Sequence, residues 1–256
     1  MTTTGSTSSP SAALAALRAA MQAAGVQACL VPSADPHLSE YLPDYWQLRP
    51  WLTGFSGSVG TVVVTQDFAG LWVDSRYWVQ AEAELAGSEV TLMKIGVATD
   101  PAHTLWLATH LAKGATVSVD GRALGLSARD ALLELLTPRG IALKLDLDLA
   151  GQCWPDRPSL PTAAVRDLPL EIAGASRQDK LARVRQVMLE QGTQWHLLST
   201  LDDIAWLLNL RGSDVSFNPV FMSHVLLGLD DAQLFVLPGK VDAALASRLA
   251  QDNIQI

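Results

Sequence analysis

The chain has 256 residues, 49% of them apolar, with a formal charge of −8. That length and apolar share allow two domains of ordinary size, each with a buried core. The acidic balance argues against nucleic acid as the main partner, because binding phosphate needs clustered Lys and Arg. Two cysteines, Cys29 and Cys153, are too few for a secreted disulfide scaffold and point to a reduced, cytoplasmic setting.

Residues 1–11 are rich in Thr and Ser and lack the basic and apolar regions of a secretory signal, so they read as a disordered leader. No stretch approaches ~18 uninterrupted apolar residues, so no membrane span is expected. Ser9 or Ser11 can cap a helix over 13–24, with Pro10 in its first turn and Gly25 closing it. An apolar strand over 26–32 follows, and 33–50 reads as a polar loop region. Strands over 61–65 and 70–73 turn near Asp67 into an antiparallel hairpin. Then come a helix over 77–86, a strand over 90–95, and a helix over 101–112 capped by Asp100. A strand over 116–120, a helix over 127–137 capped by Ser127 and a strand over 141–145 complete the alternation.

Pro155, Pro158, Pro161 and Pro169 make 147–174 a connector rather than a core element. A helix over 176–191 follows, with Ser176 as cap and Asp179 in its first turn. A strand covers 195–199. The helix over 201–208 opens on Thr200 and the Asp202-Asp203 pair, which read as capping and helix-dipole residues. Strands over 222–228 and 233–237, turning at Asp230-Asp231, form a second hairpin. A helix over 241–251 and a strand from Ile254 end the chain.

The second half repeats the first. Gly25 matches Gly192, Leu30 matches Leu197, Asp35 matches Asp202, Leu71 to Val73 match Leu234 to Val236, and Val90 to Leu92 match Ile254 to Ile256. The expected architecture is α/β, with two tandem domains, each a mixed sheet flanked by helices. The domains cover 12–150 and 175–256, joined by a connector over 151–174, and the second copy stops partway. The chain is therefore expected to be the opening part of a longer protein.

Gly54 to Gly60 invites two enzyme readings, but neither spacing holds. A dinucleotide loop needs G-x-G-x-x-G before a helix, and a nucleophile elbow needs G-x-S-x-G. A tight loop with close backbone approach is expected instead. Of the five histidines only His103 and His110 share a helix, and no carboxylate completes a metal site there. Two loop clusters stand out. The first holds Asp35, His37, Glu40, Tyr41 and Arg49, then Gly54 and Phe55, and is closed by Asp74 and Arg76. The second holds Asn209, Arg211 and Asp214 and runs on to Asn218-Pro219. Each either binds a ligand or fastens its loop by charge-assisted hydrogen bonds.

The strings Asp35 to Tyr41, Trp51 to Gly60, Asp74 to Tyr77, and Leu201 to Val215 with Asn218 to Phe221 resemble the N-terminal region of three-domain Xaa-Pro aminopeptidases, relatives of prolidase and creatinase. Val59 stands where the family usually has a smaller residue. The resemblance implies two creatinase-N-terminal-like domains of ribonuclease-H-like fold. It also implies a C-terminal domain, absent here, that binds two divalent metals, usually manganese. Such a pair activates a water and polarises the scissile carbonyl of a proline-containing peptide. No catalytic or metal residue is then expected in this chain, and no cofactor is expected to bind it. Asn209, Arg211 and Asp214 are the candidates for lining the substrate entrance. The expected partners are proline-containing peptides, the chain's own catalytic domain and a second copy, drawn together by the uncovered second sheet. The alternative reading is a creatinase-like protein-interaction module without catalysis.

Overall fold

The computed structural model describes residues 9–96 and 102–256, and the chain divides into two compact units between Ser159 and Leu160. The first contains α1 (Pro10–Ala23), β1 (Ala28–Pro32), α2 (Leu48–Thr53), β2 (Thr61–Thr65), β3 (Ala69–Val73), α3 (Trp78–Glu84), β4 (Thr91–Lys94), α4 (Ala102–His110), β5 (Thr116–Ser118), α5 (Leu126–Leu136), β6 (Ala142–Lys144) and α6 (Leu149–Gln152). The second contains β7 (Arg166–Asp167), α7 (Leu170–Ala173), α8 (Arg177–Glu190), β8 (Trp195–Leu198), α9 (Leu201–Leu207), β9 (Leu210–Arg211), β10 (Ser223–Gly228), β11 (Ala232–Val236), α10 (Ala243–Gln251) and β12 (Ile254–Gln255).

The main sheet of each unit is mixed, the four strands of the second repeat four of the six in the first, and β7 and β9 form a separate antiparallel pair. The first has the order β4-β3-β2-β1-β5-β6 and the second β12-β11-β10-β8. β1 is antiparallel to β2 and β2 to β3, while β3 is parallel to β4. The pairs β8–β10, β10–β11 and β11–β12 repeat that sequence. The register agrees residue by residue. Leu30 faces Val63, Val63 faces Gly70 and Gly70 faces Thr91. Leu197 faces Leu226, Leu226 faces Gln233 and Gln233 faces Gln255.

The opening helices match as closely. Ser9 and Ser176 cap α1 and α8 by accepting the amides of Ala12 and Asp179. Each helix ends on a left-handed glycine, Gly25 at φ +67° and Gly192 at φ +64°. The following residue donates back into the last turn, Val26 to Met21 O at 2.9 Å and Thr193 to Met188 O at 2.8 Å. Leu14 and Met21 pack on the face of the first sheet that carries Val62, Val64 and Leu71. Leu181 and Met188 do the same on Val225, Leu227 and Leu234. The opposite face of the first sheet, with Leu30, Val63 and Trp72, is covered by Leu107 of α4 and by Leu132 and Leu136 of α5.

Three expectations change. The region 33–50 was expected to be loop throughout, but α2 begins inside it at Leu48. Pro50 lies in the first turn of that helix, where its missing N–H has no intrahelical partner to lose. The cap of α5 is Gly125, and Ser127 lies inside the first turn. The proline-rich segment does enter cores: Leu149 and Ala150 are buried in the first unit and Val165 in the second. Proline removes ladder donors without preventing its neighbours from being buried. The first eight residues of the expected leader, and the expected cap Asp100 with Pro101, lie outside the described residues.

Candidate functional site

The first loop cluster is built around a buried arginine. Arg49 on α2 donates from Nε to Ser33 Oγ at 2.7 Å, from Nη1 to Phe55 O at 2.7 Å, and from Nη2 to Gly57 O. Its guanidinium also lies 4.9 Å from the Phe55 ring centre. Burial pushes Arg49 down to about 10, well above any working pH, so it stays charged. The rest of the loop is tied to the segment that follows β3. Ser56 binds Glu84 through its amide at 2.9 Å and its hydroxyl at 2.7 Å, and Ser58 lies 2.6 Å from the Tyr77 hydroxyl.

Gly54, at φ +76°, closes α2. A Cβ on Gly57 would stand 2.3 Å from Phe55 Cζ, so that site admits only glycine. The loop therefore turns carbonyls onto Arg49, the opposite polarity from a phosphate cradle, which presents amides.

The remaining members of this cluster form two smaller pieces. Asp35, fully buried, accepts the amides of His37 at 2.9 Å and Ser39 at 3.0 Å. Its other oxygen lies 3.7 Å from His37 Nδ1. Burial alone would raise the Asp35 carboxyl, but the hydrogen bonds from His37 and Ser39 outweigh it and hold the group below its ordinary value. Asp74 and Arg76 form an exposed two-pronged pair, with Nε and Nη2 both at 2.9 Å. Glu40 and Tyr41 are exposed, and the Glu40 charge adds to the field at Arg76.

The second cluster is held by two lysines that its own sequence does not contain. Lys240, fully buried, reaches Asp214 Oδ1 and Oδ2 at 2.5 and 2.6 Å, and donates to Pro161 O at 3.1 Å. Asp214 also accepts the Met222 amide at 2.7 Å, which closes the loop between β9 and β10. Lys180 of α8 donates to Asn209 Oδ1 at 2.6 Å and Trp206 O at 2.9 Å. Burial, then the charges of Arg211 and Arg183, lower Lys180 from its usual range. Asn209, at φ +50°, also donates to Ala175 O at 2.9 Å. Arg211 is half-buried, and its Nη1 caps the end of α9 at Ala205 O, 2.7 Å away.

Of the three entrance candidates, Asn209 and Asp214 thus turn inward. The sequence reading passed over Phe217, which is fully exposed at φ +63° on the tip of the loop that Asp214 anchors. A large aromatic held in the left-handed region is strained backbone of the kind that collects at functional sites. An aromatic between Ser216 and Asn218-Pro219 was the available signal.

Elsewhere, His110 stacks on Trp106 at 4.3 Å, and burial lowers His103 to about 4. Asp202 is exposed in the first turn of α9, while its repeat partner Asp35 is buried. Among the described residues no group of three or more His, Cys, Asp or Glu could hold a metal ion. No described helix is long and apolar enough to cross a membrane.

The repeated topology and loop clusters belong to a recognised class. Two different family models, each described as the Creatinase/Prolidase N-terminal domain, match this chain, one over residues 14–144 and the other over residues 156–256. The chain belongs to that family. It is 36% identical over 235 residues to Aminopeptidase P2 of Arabidopsis thaliana, covering 91% of this chain and 33% of the relative. It is 39% identical over 256 residues to a probable Xaa-Pro aminopeptidase P of Pyricularia oryzae, covering 98% and 41%. Among solved structures it is similar to the X-prolyl aminopeptidase of Caenorhabditis elegans, described as a cytosolic enzyme with a di-nuclear active site. That match has a TM-score of 0.90 at 30% identity, over 97% of this chain and 42% of the other. The chain thus spans between 33% and 41% of the length of these two curated relatives.

Proposed function

We propose that the chain is the N-terminal, non-catalytic part of a metal-dependent Xaa-Pro aminopeptidase, cleaving between an N-terminal residue and a following proline. The observation that carries this reading is the 0.90 TM-score to the C. elegans X-prolyl aminopeptidase over 97% of the chain. In this reading two ribonuclease-H-like domains, 12–150 and 175–256, are joined by the segment 151–174. They gate peptide entry and aid assembly with a C-terminal catalytic domain. That domain holds two divalent metals, manganese by expectation, and the enzyme works in the cytoplasm. The 256-residue chain by itself is inactive and self-associates as a homodimer.

Entry gating is assigned to β9 and the loop that follows it. Asn209 and Asp214 hold its base, and Arg211 and Phe217 are the side chains left to meet a peptide. The test is to replace Arg211 and Phe217 separately by Ala in the full-length polypeptide. Phe217→Ala is expected to leave the unfolding midpoint in place, because an exposed ring contributes little to stability. Both variants are expected to change KM for short Xaa-Pro peptides severalfold. Unchanged KM and kcat per folded molecule in both would reject the gating role.

A further inference from the structure

A cavity of about 670 Å³ opens in the first unit, where the end of α1, the turn between β2 and β3 and the end of α4 meet. Small-molecule sites usually measure about 300–1,000 Å³. A column of rings lines it. Trp106 stacks on Phe68 with ring centres 4.5 Å apart and on His110 at 4.3 Å. Trp72 meets Trp106 edge-on at 5.7 Å. Gly70 makes this packing possible, because a Cβ there would stand 2.6 Å from Phe68 Cε1 and 2.8 Å from Trp72 Cζ3. The lining also brings in Gln22, Gln66 and Asp67. The turn that carries the last two is firmly tied. Arg18 Nε donates to Thr65 O and Gln66 Nε2 to Arg18 O, both at 3.0 Å, and Thr65 Oγ1 donates to Asp67 Oδ1 at 2.8 Å. Asp67 Oδ2 and Gln66 Oε1 have no partner among the described residues.

The charge in this cavity has one sign. Asp67 is its carboxylate, and neither Lys nor Arg is among the lining residues. Arg18, which reaches Thr65, is paired with Glu89 at 2.6 Å. A free carboxylate oxygen and an amide oxygen beside stacked rings suit a guanidinium. That group is planar, always charged and weakly hydrated, donates to neighbouring oxygens and lies well on aromatic faces. An ammonium is more strongly hydrated and gains less from the rings, and an anion would meet the Asp67 carboxylate. We propose that the cavity binds a guanidinium on a short apolar stem. Asp67 and Gln66 accept its N–H groups, and the rings of Phe68, Trp106 and His110 flank the stem. A free alkylguanidine and an arginine side chain of a peptide both offer this chemistry. The proposal does not depend on the peptidase reading.

Calorimetric titration of the 256-residue chain with n-butylguanidinium, n-butylurea and n-butyrate tests this. The guanidinium should bind at one site. The urea has its shape without its charge and should bind about tenfold more weakly. Asp67→Asn keeps an Oδ1 acceptor for Thr65 and should erase that difference. In a proton–nitrogen correlation spectrum, the indole N–H signal that Trp106→Phe removes should shift during the titration. Equal binding of the urea, tighter binding of butyrate, no saturable binding, a signal from Trp106 that stays in place, or a guanidinium preference that survives in Asp67→Asn would each overturn the proposal. If Trp106→Phe does not fold, the Asp67→Asn titration still decides. The tripeptide Ala-Arg-Ala with blocked termini then identifies the source. Binding tighter than that of butylguanidinium assigns the site to an arginine side chain, and binding no tighter assigns it to a free alkylguanidine.

Discussion

Lys240 and Lys180 lie twenty-six and twenty-nine residues from the groups they hold, Asp214 and Asn209. That distance is why the loop residues were legible in the sequence and their partners were not. A lysine in the turn before α10 carries no local sign that its ammonium will be buried. Removing one member of a buried pair leaves the other charge uncompensated. Lys240→Met should therefore cost about 3–5 kcal/mol in urea unfolding of the second unit. The double variant Asp214→Leu/Lys240→Met should cost clearly less than the sum of the two single changes. Additive costs would mean that the pair does not act as a unit.

Shifted groups of the first unit respond to acid over two ranges, His103 in the upper one and Asp35 in the lower, where Asp74, Glu84 and Glu89, also held below their ordinary values, add to it. His103 is lowered from 6.5 to about 4 by burial, so the unfolded chain takes up a proton before the folded one. Stability from this group is complete above pH 6.5 and falls as the pH drops towards 4. Asp35 is held below 3.8 in the folded chain. Its contribution is present above that value and is lost as the pH falls further through the folded-state value. Stability measured against pH should thus decline in two stages, and His103→Gln should flatten the upper one alone. A decline confined to the region below pH 4 would show that His103 does not contribute.

At the level of elements, the closing glycines Gly25 and Gly192 give a matched pair of sites. An added Cβ meets nothing within 4 Å at either, so alanine there is opposed only by its left-handed backbone. Each substitution should cost about 1 kcal/mol, and the two costs should agree. A much larger loss at one glycine would mean that the two helix ends are not equivalent. Most helices and strands were readable because capping serines, closing glycines and alternating apolar runs act locally. The helix α2 was not, since Pro50 and the turn formers before it mask a helical start. The core residues of the proline-rich segment were missed for a related reason. Proline reports on hydrogen bonding, and Leu149 and Val165 are decided by burial.

For the whole molecule, the duplication could be read from a handful of aligned positions, because both halves keep the same apolar ladder and turn spacing. The paired strands Leu30–Val63 and Leu197–Leu226 place those positions in one register. The candidate sites were less legible. A sequence string marks which loops matter, but whether Asn209 and Asp214 point outward depends on long-range partners. Recognition of the family at 36–39% identity rests on such strings and not on a catalytic set.

The most direct measurement is peptide hydrolysis by the purified 256-residue chain in the presence of Mn²⁺, beside the full-length polypeptide under the same conditions. The account predicts no release of the N-terminal residue from an Xaa-Pro peptide by the 256-residue chain above a Mn²⁺ blank, and steady turnover by the longer one. Mn²⁺-dependent turnover by the 256-residue chain, proportional to its concentration, would contradict it.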